Sequence, residues 1–356
     1  MKNLKKEFPV TANYTHLNTA GSGLLSETLL DFRQNHDLDY LVMGSLLKDN
    51  QDKFITSVRK DVGAFFKCDP ARVALVSSFS MGFNIMLEAL PAKSKVLLLD
   101  EDYPSINWPV EARDFEVCYA EINTNLENNI LEVVAKHKPD VFCLSLVQYV
   151  SGVQVDFEFL KALKKQYPDL LICGDGTQYC GVEPFDFEAS GLDILGASAY
   201  KWLNAGYGNG FFLFKEGVEQ VLKPKAVGFG SVRGLYKENE HSLIGKFEPG
   251  HIDTLNLGSL QAALQLVKKV GYDTISAQIE LLKRRAIEEF SSRNLLDDVV
   301  LERKIHSSIF NITGDQKLFE KLRSHDVICS QRGSGIRVSF HYFNTESDLE
   351  KLLKLI

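Results

Sequence analysis

Short apolar runs alternate with amphipathic helical patterns through the middle of the chain. β-rich runs occupy residues 73–77, 95–99, 115–119, 141–146, 170–173, 193–197 and 210–214. Between several of them, residues 51–66, 126–137 and 156–167 carry apolar positions at helical spacing, as with Phe157, Leu160 and Leu163. Asp156 is placed to cap that last helix, and Pro168 to stop it. Continuous apolar strands alternating with helices predict an α/β fold with a mostly parallel sheet covered on both faces. After about Pro249 the pattern changes. Helices are predicted over 257–270, 273–291 and 316–325, strands over 308–312 and 335–340, and a closing helix from Thr345. This reads as a smaller C-terminal α+β domain. The expected division is an N-terminal segment (1–20), a large domain (21–250) and a small domain (251–356).

Composition narrows the function classes. A length of 356 residues sets a prior of two or three domains. With 45% hydrophobic and 24% charged residues the chain is neither disordered nor fibrous. The net charge of −7 argues against a nucleic-acid groove but leaves room for a local anion site. No apolar run reaches the length of a membrane span, and the basic start has no apolar stretch behind it, so no secretory signal is expected. The six cysteines form no CxxC pair, which suits a reduced, cytoplasmic compartment. The eight histidines include no HxxxH pair, and no Cys/His cluster has ligand spacing, so no metal is expected.

Four segments carry candidate chemistry. In the run LICGDGTQ at 171–178, a strand delivers Asp175 to its carboxyl end, where open α/β sheets bind ligands. Taken alone, an Asp beside Gly more often closes a turn. In DILGASAYKWL at 193–203, a second strand ends in small and hydroxyl residues before Lys201 and Trp202. A lysine so enclosed loses solvation and becomes nucleophilic, as a Schiff-base lysine requires; alone, it also reads as a surface lysine lying over Trp202. In ALVSSFSMGFN at 74–84, a strand leads into Ser78, Phe79 and Ser80 at a helix start. Free N–H groups and hydroxyls there make a phosphate cradle, or a plain N-cap. In GIRVSFH at 335–341, strand alternation puts Arg337, Ser339 and His341 on one face, with a guanidinium suited to bidentate capture of a carboxylate.

The order of these segments resembles the class V aminotransferases, pyridoxal 5'-phosphate (PLP) enzymes of fold type I. Cysteine desulfurases, selenocysteine lyases, isopenicillin N epimerase and kynureninase are relatives within that group. The resemblance runs from LNTAG at 17–21 to RVSFHYFNT at 337–345, and rests on Asp175 with Gln178, Lys201 with Trp202, and Arg337. It implies that Lys201 forms the Schiff base with PLP and shuttles the α-proton. It implies that Asp175 keeps the pyridine nitrogen protonated, so that the ring withdraws electrons. Gln178 is then expected beside the phenolic oxygen, Tyr103 on the ring face, and Phe79, Ser80, Ser198 and Tyr200 around the phosphate. Gln148 and Tyr149 are expected to face cofactor or substrate, and Arg337 to hold the α-carboxylate. A homodimer acting on an amino acid is implied as well.

Three departures from the pattern bear on the reaction. Tyr103 and Tyr200 stand where desulfurases often have histidines. The family's Gly-Thr-x-Asn segment, which reaches the neighbouring subunit's phosphate, reads Gly250, His251, Ile252, Asp253 here, with Thr254 close by. Cys329, the one cysteine in the right part of the chain for a desulfurase, lies in a β-like run close to Arg337. Transfer or lyase chemistry through Lys201 is therefore expected. The alternatives are a cysteine or selenocysteine desulfurase using Cys329, an epimerase, and a non-catalytic PLP-fold binding protein.

Overall fold

The computed structural model describes residues 4–232 and 241–356. In chain order the strands among them are β1 (Thr15–His16), β2 (Val73–Val76), β3 (Lys95–Leu99), β4 (Glu116–Ala120), β5 (Val141–Ser145), β6 (Leu171–Asp175), β7 (Ile194–Ser198), β8 (Gly210–Phe214), β9 (Ile309–Thr313), β10 (Val327–Ile328), β11 (Ser330–Arg332) and β12 (Gly335–Ser339). Seven of them form one sheet in the order β2-β8-β7-β6-β5-β3-β4. The pairings from β7 through β6, β5 and β3 to β4 are parallel, and β8 runs antiparallel to both of its neighbours.

The apolar runs are continuous because both faces of this sheet are buried. The pleat sends Leu97, Leu99, Phe142, Leu144 and Ile172 into one core, with helices Gln51–Phe66, Leu126–His137 and Phe157–Gln166. It sends Val96, Leu98, Val141, Cys143 and Leu171 into a second core, with helices Phe79–Glu88 and Pro104–Glu111. Helix Phe157–Gln166 starts where Asp156 accepts the N–H of Glu158 at 2.8 Å, as its sequence signal predicts. The parallel strands β3, β5, β6 and β7 therefore end on one edge, and β2, antiparallel to β8, ends there too. That edge carries the candidate chemistry.

A second sheet, in the order β11-β12-β9, is antiparallel. One of its faces holds Phe310, Ile312, Ile336 and Val338 in a third core with Leu17, Leu282, Phe290 and Leu349. The N-terminal segment is bound into this unit. β1 pairs with β10, the Ser339 N–H donates to the Leu17 carbonyl at 2.9 Å, and the Ala20 N–H donates to Ser339 Oγ at 3.0 Å. Helix Thr254–Val270, in the stretch expected to form part of the small domain, has Leu257, Leu260 and Leu264 in the first core instead.

Helix Glu27–Met43 has no counterpart among the sequence expectations. Only Leu29 of it is buried, so it lacks the apolar stripe by which an amphipathic helix is recognised. Leu41 and Val42 are 80% and 84% exposed. Among the described residues no helix is long and apolar enough to cross a membrane.

Candidate active site

The site is assembled from strand ends. β6 delivers Asp175, whose Oδ1 accepts the N–H of Thr177 at 2.8 Å in a tight turn. The carboxyl group is buried, and desolvation pushes it up to about 6, against the pull of the Thr177 hydrogen bonds and the Lys201 charge. β7 delivers Ser198, followed by Tyr200 and Lys201. Lys201 is 5% exposed, and burial brings its ammonium down to about 8, with Asp175 raising it and Arg337 and Arg332 lowering it further. Its Nζ lies 5.4 Å from the centre of the Tyr103 ring and 5.7 Å from that of Tyr200.

The loop around the lysine is held from several sides. The Trp202 indole N–H donates to Gln178 Oε1 at 2.8 Å, and Gln178 Nε2 donates to the Ala20 carbonyl at 2.9 Å. Asn204 Oδ1 accepts the Leu24 N–H at 2.8 Å. A Cβ on Gly23 would lie 2.1 Å from the Lys201 carbonyl oxygen, so a side chain there would push the N-terminal segment off the lysine loop. His341 sits behind Trp202, its Nε2 2.9 Å from that residue's carbonyl oxygen. Burial lowers the imidazole to about 3, so it is neutral and supports the loop.

Helix Phe79–Glu88 begins at the same edge. Ser78 Oγ accepts the Met81 N–H at 3.3 Å, and Ser198 Oγ accepts the Phe79 N–H at 2.8 Å. Ser80 sits between them in the first turn, half-buried. The helix N-terminus, Ser78, Ser80 and Ser198 thus gather at the same strand edge, where their hydroxyls and the Ser80 N–H offer donors to an anion. Tyr103 follows Asp102, which is fully buried and accepts the N–H groups of Tyr103 and Ser145 at 2.7 and 2.8 Å. Burial pushes the Asp102 carboxyl up, with those hydrogen bonds opposing. Asp102 is not among the sequence candidates, although an acid just before Tyr103 and Pro104 is a helix-start signal.

Arg337 enters from the small domain. It is 3% exposed, and its Nη1 donates to the Tyr149 carbonyl at 2.6 Å. Its buried Nε has no partner, and among the described residues no carboxylate pairs with the guanidinium. Burial lowers its proton affinity to about 10. Tyr149 meets Tyr103 edge to face at 5.2 Å, and Tyr200 stacks on Tyr207 at 4.6 Å. Gln148, expected to face cofactor or substrate, has its amide held by the protein, its Nε2 donating to the Glu101 carbonyl at 3.3 Å. Its Oε1 accepts from the N–H groups of Val150 and Ser151 and from Ser151 Oγ, so its side chain clamps its own turn.

Cys329 lies away from this cluster, in the third core, where burial pushes its thiol up to about 11. All six cysteines are buried and unpaired.

These residues suit PLP. Lys201 offers a desolvated amine, Asp175 an acid beside it, the helix start a place for a phosphate dianion, and Tyr103 an aromatic face near the amine. The comparisons agree: residues 36–352 match the family model Aminotransferase class-V, and the chain belongs to this family of PLP-dependent enzymes. An uncharacterized aminotransferase, YcbU, of Bacillus subtilis (strain 168) is 23% identical over 349 residues, covering 96% of this chain and 93% of the relative. Isopenicillin N epimerase of Amycolatopsis lactamdurans is 22% identical, covering 84% and 83%. Among solved structures, the cystine C–S lyase C-DES in complex with cysteine persulfide superposes with a TM-score of 0.87 at 21% identity, covering 98% of each chain. The apo cysteine desulfurase of Thermococcus onnurineus NA1 does so at 0.86 and 16%, covering 99% and 96%. Identities this low establish the fold-type-I architecture and not the reaction.

Proposed function

We propose that this chain acts on an α-amino acid by elimination or transfer at Cα or Cβ, with Lys201, Asp175 and Arg337 as its working set and no persulfide on the protein. The observation that carries this reading is a buried amine beside a buried acid, together with a buried guanidinium that pairs with no carboxylate among the described residues. When bound, PLP supplies an aldehyde for the substrate amine and a ring that takes up the electrons of the bond broken at Cα. Lys201 Nζ takes up and returns the α-proton, and its lowered proton affinity keeps a share of it free base at neutral pH. Asp175 would hold a proton on the ring nitrogen. The hydroxyls of Ser78, Ser80 and Ser198 and the Ser80 N–H would hold the phosphate, Tyr103 would cover the ring, and Gln178 and Tyr200 would border it. Tyr149 orients Arg337 through its carbonyl, and Arg337 takes the α-carboxylate with two parallel hydrogen bonds. Gln148 shapes the turn that carries Tyr149.

Cys329 argues for this reading over a desulfurase. A thiol buried in the small-domain core and raised to about 11 supplies little thiolate. The test is a spectral and product screen of the holoenzyme with L- and D-amino acids, with and without a keto acid. Keto-acid or amine products without a protein persulfide support the proposal; a lack of both spectral response and product overturns it.

A homodimer is part of the proposal. The exposed Leu38, Leu41, Val42 and Leu46 on and after helix Glu27–Met43 form the apolar surface such an interface uses. Light scattering should report twice 40.0 kDa, and a fully active 40.0-kDa species would contradict it. The assignment to the cytoplasm rests on the six free, buried thiols, and cell fractionation checks it.

A further inference from the structure

The β11–β12 hairpin presents a second guanidinium beside Arg337. In an antiparallel ladder, directly paired residues project from the same face. Ser330, Arg337 and Asn311 form one such row, and Arg332, Gly335 and Thr313 form the next row on that face. Arg332 and Arg337 are thus diagonal neighbours, roughly 7–8 Å apart along the sheet. The opposite face, with Ile312, Ile336 and Val338, is committed to the third core. The polar face is the one directed at the site, since Arg337 reaches the Tyr149 carbonyl from it.

Among the described residues no acid neutralises this pair. Arg332 Nη1 donates to the neighbouring Gln331 carbonyl at 3.1 Å. The charge of Arg332 reaches both Lys201 and Arg337, lowering the proton affinity of each. Two donors on the same face, Arg337 Nε and Ser330 Oγ, are buried without partners. Buried donors without partners are rare in folded proteins and call for an explanation. The backbone is fixed for the arrangement: Asn311 Nδ2 donates to the Arg332 carbonyl at 3.0 Å. The turn at Gly333, with φ +55°, packs against Val150 beside Tyr149.

We infer that Arg332 is a specificity-determining residue, and that the substrate is an α-amino acid whose side chain ends in a second anionic group, a carboxylate or a sulfinate. Arg332 holds that group while Arg337 holds the α-carboxylate. The inference deepens the proposed function and rests on it. Two neighbouring cations repel each other, and a doubly anionic substrate relieves that repulsion.

The test is an absorbance titration of the holoenzyme with L-aspartate, L-glutamate and L-cysteine sulfinate against L-alanine and L-norvaline. The acidic ligands should bind at least tenfold more tightly than the neutral ones, and the tightest of them tells carboxylate from sulfinate. Arg332→Ala should reduce that ratio towards one, and Arg332→Glu should reverse it in favour of L-ornithine and L-lysine. Wild-type protein that binds acidic and neutral ligands alike would overturn the inference. So would Arg332 variants that weaken aspartate and alanine by the same factor. A spectrum unmoved by any amino acid would overturn the proposed function, and this inference with it.

Discussion

The indole N–H of Trp202 donates to the amide oxygen of Gln178 at 2.8 Å, so the residue after the lysine sets the orientation of an amide presented beyond the neighbouring strand. The same amide donates to Ala20, which ties the N-terminal segment to the site. Trp202→Phe leaves Gln178 Oε1 buried without a donor. The expected loss is about 1–3 kcal/mol from the unpaired oxygen, over and above the packing change. Chemical denaturation measures it, and a double-mutant cycle with Gln178→Met should be clearly non-additive.

Asp175→Asn keeps the oxygen that accepts from Thr177 but cannot hold the ring proton. PLP should still bind, while turnover falls by roughly 10²-fold or more, the scale of losing a fixed electrostatic group. The Lys201 amine should titrate lower than in wild type, because the carboxylate that raises it is gone. Steady-state kinetics at saturating PLP check the first effect. An unchanged rate would reduce Asp175 to its role in the turn.

The lowered proton affinity of Lys201 has a pH signature. Only the free amine attacks the cofactor aldehyde, and with a value of about 8 its share increases tenfold per pH unit up to that point and then levels off. At pH 7 roughly one-tenth is free, against less than about one in a thousand for an ordinary lysine. Stopped-flow mixing of apoprotein with PLP should give a rate that climbs to about pH 8 and then flattens. A rate that keeps climbing through pH 10 would mean a solvated lysine.

Cys329→Ala should leave turnover nearly unchanged, because the thiol is buried in the third core and raised to about 11. Its measurable effect should be a small loss of stability from the shortened side chain. If the variant keeps PLP but loses sulfur release from L-cysteine, the desulfurase alternative takes over.

The strands and their order of chemistry are readable in the sequence because the sheet is buried on both faces, so Leu171–Asp175 and Ile194–Ser198 are apolar runs that stop abruptly at functional residues. Arg337 is readable because Ile336 and Val338 point into the third core on either side of it. What escapes depends on distant partners. Asp102 acts through Ser145, and Thr177 through Ser198, whose N–H reaches the threonine hydroxyl at 3.0 Å. Gln148 looks like a ligand-facing residue in the sequence, yet its amide oxygen meets donors only two and three residues away. β1 and β10 span two residues each, too short for any periodicity to mark them. Arg59 and Glu248 form a buried bidentate pair at 2.7 and 2.8 Å that joins helix Gln51–Phe66 to the segment after the helix at Leu243–Phe247, and neither residue carries a local signal for it.

The most direct measurement is borohydride reduction of the purified holoenzyme followed by peptide mapping. The expected result is a yellow protein whose absorbance band is lost on reduction, with the cofactor fixed to the peptide containing Lys201 and to no other. Lys201→Ala should show neither the covalent label nor turnover, since it lacks both the attachment point and the proton carrier. Label on a different lysine, or full activity in the Lys201→Ala protein, would contradict the assignment of this site.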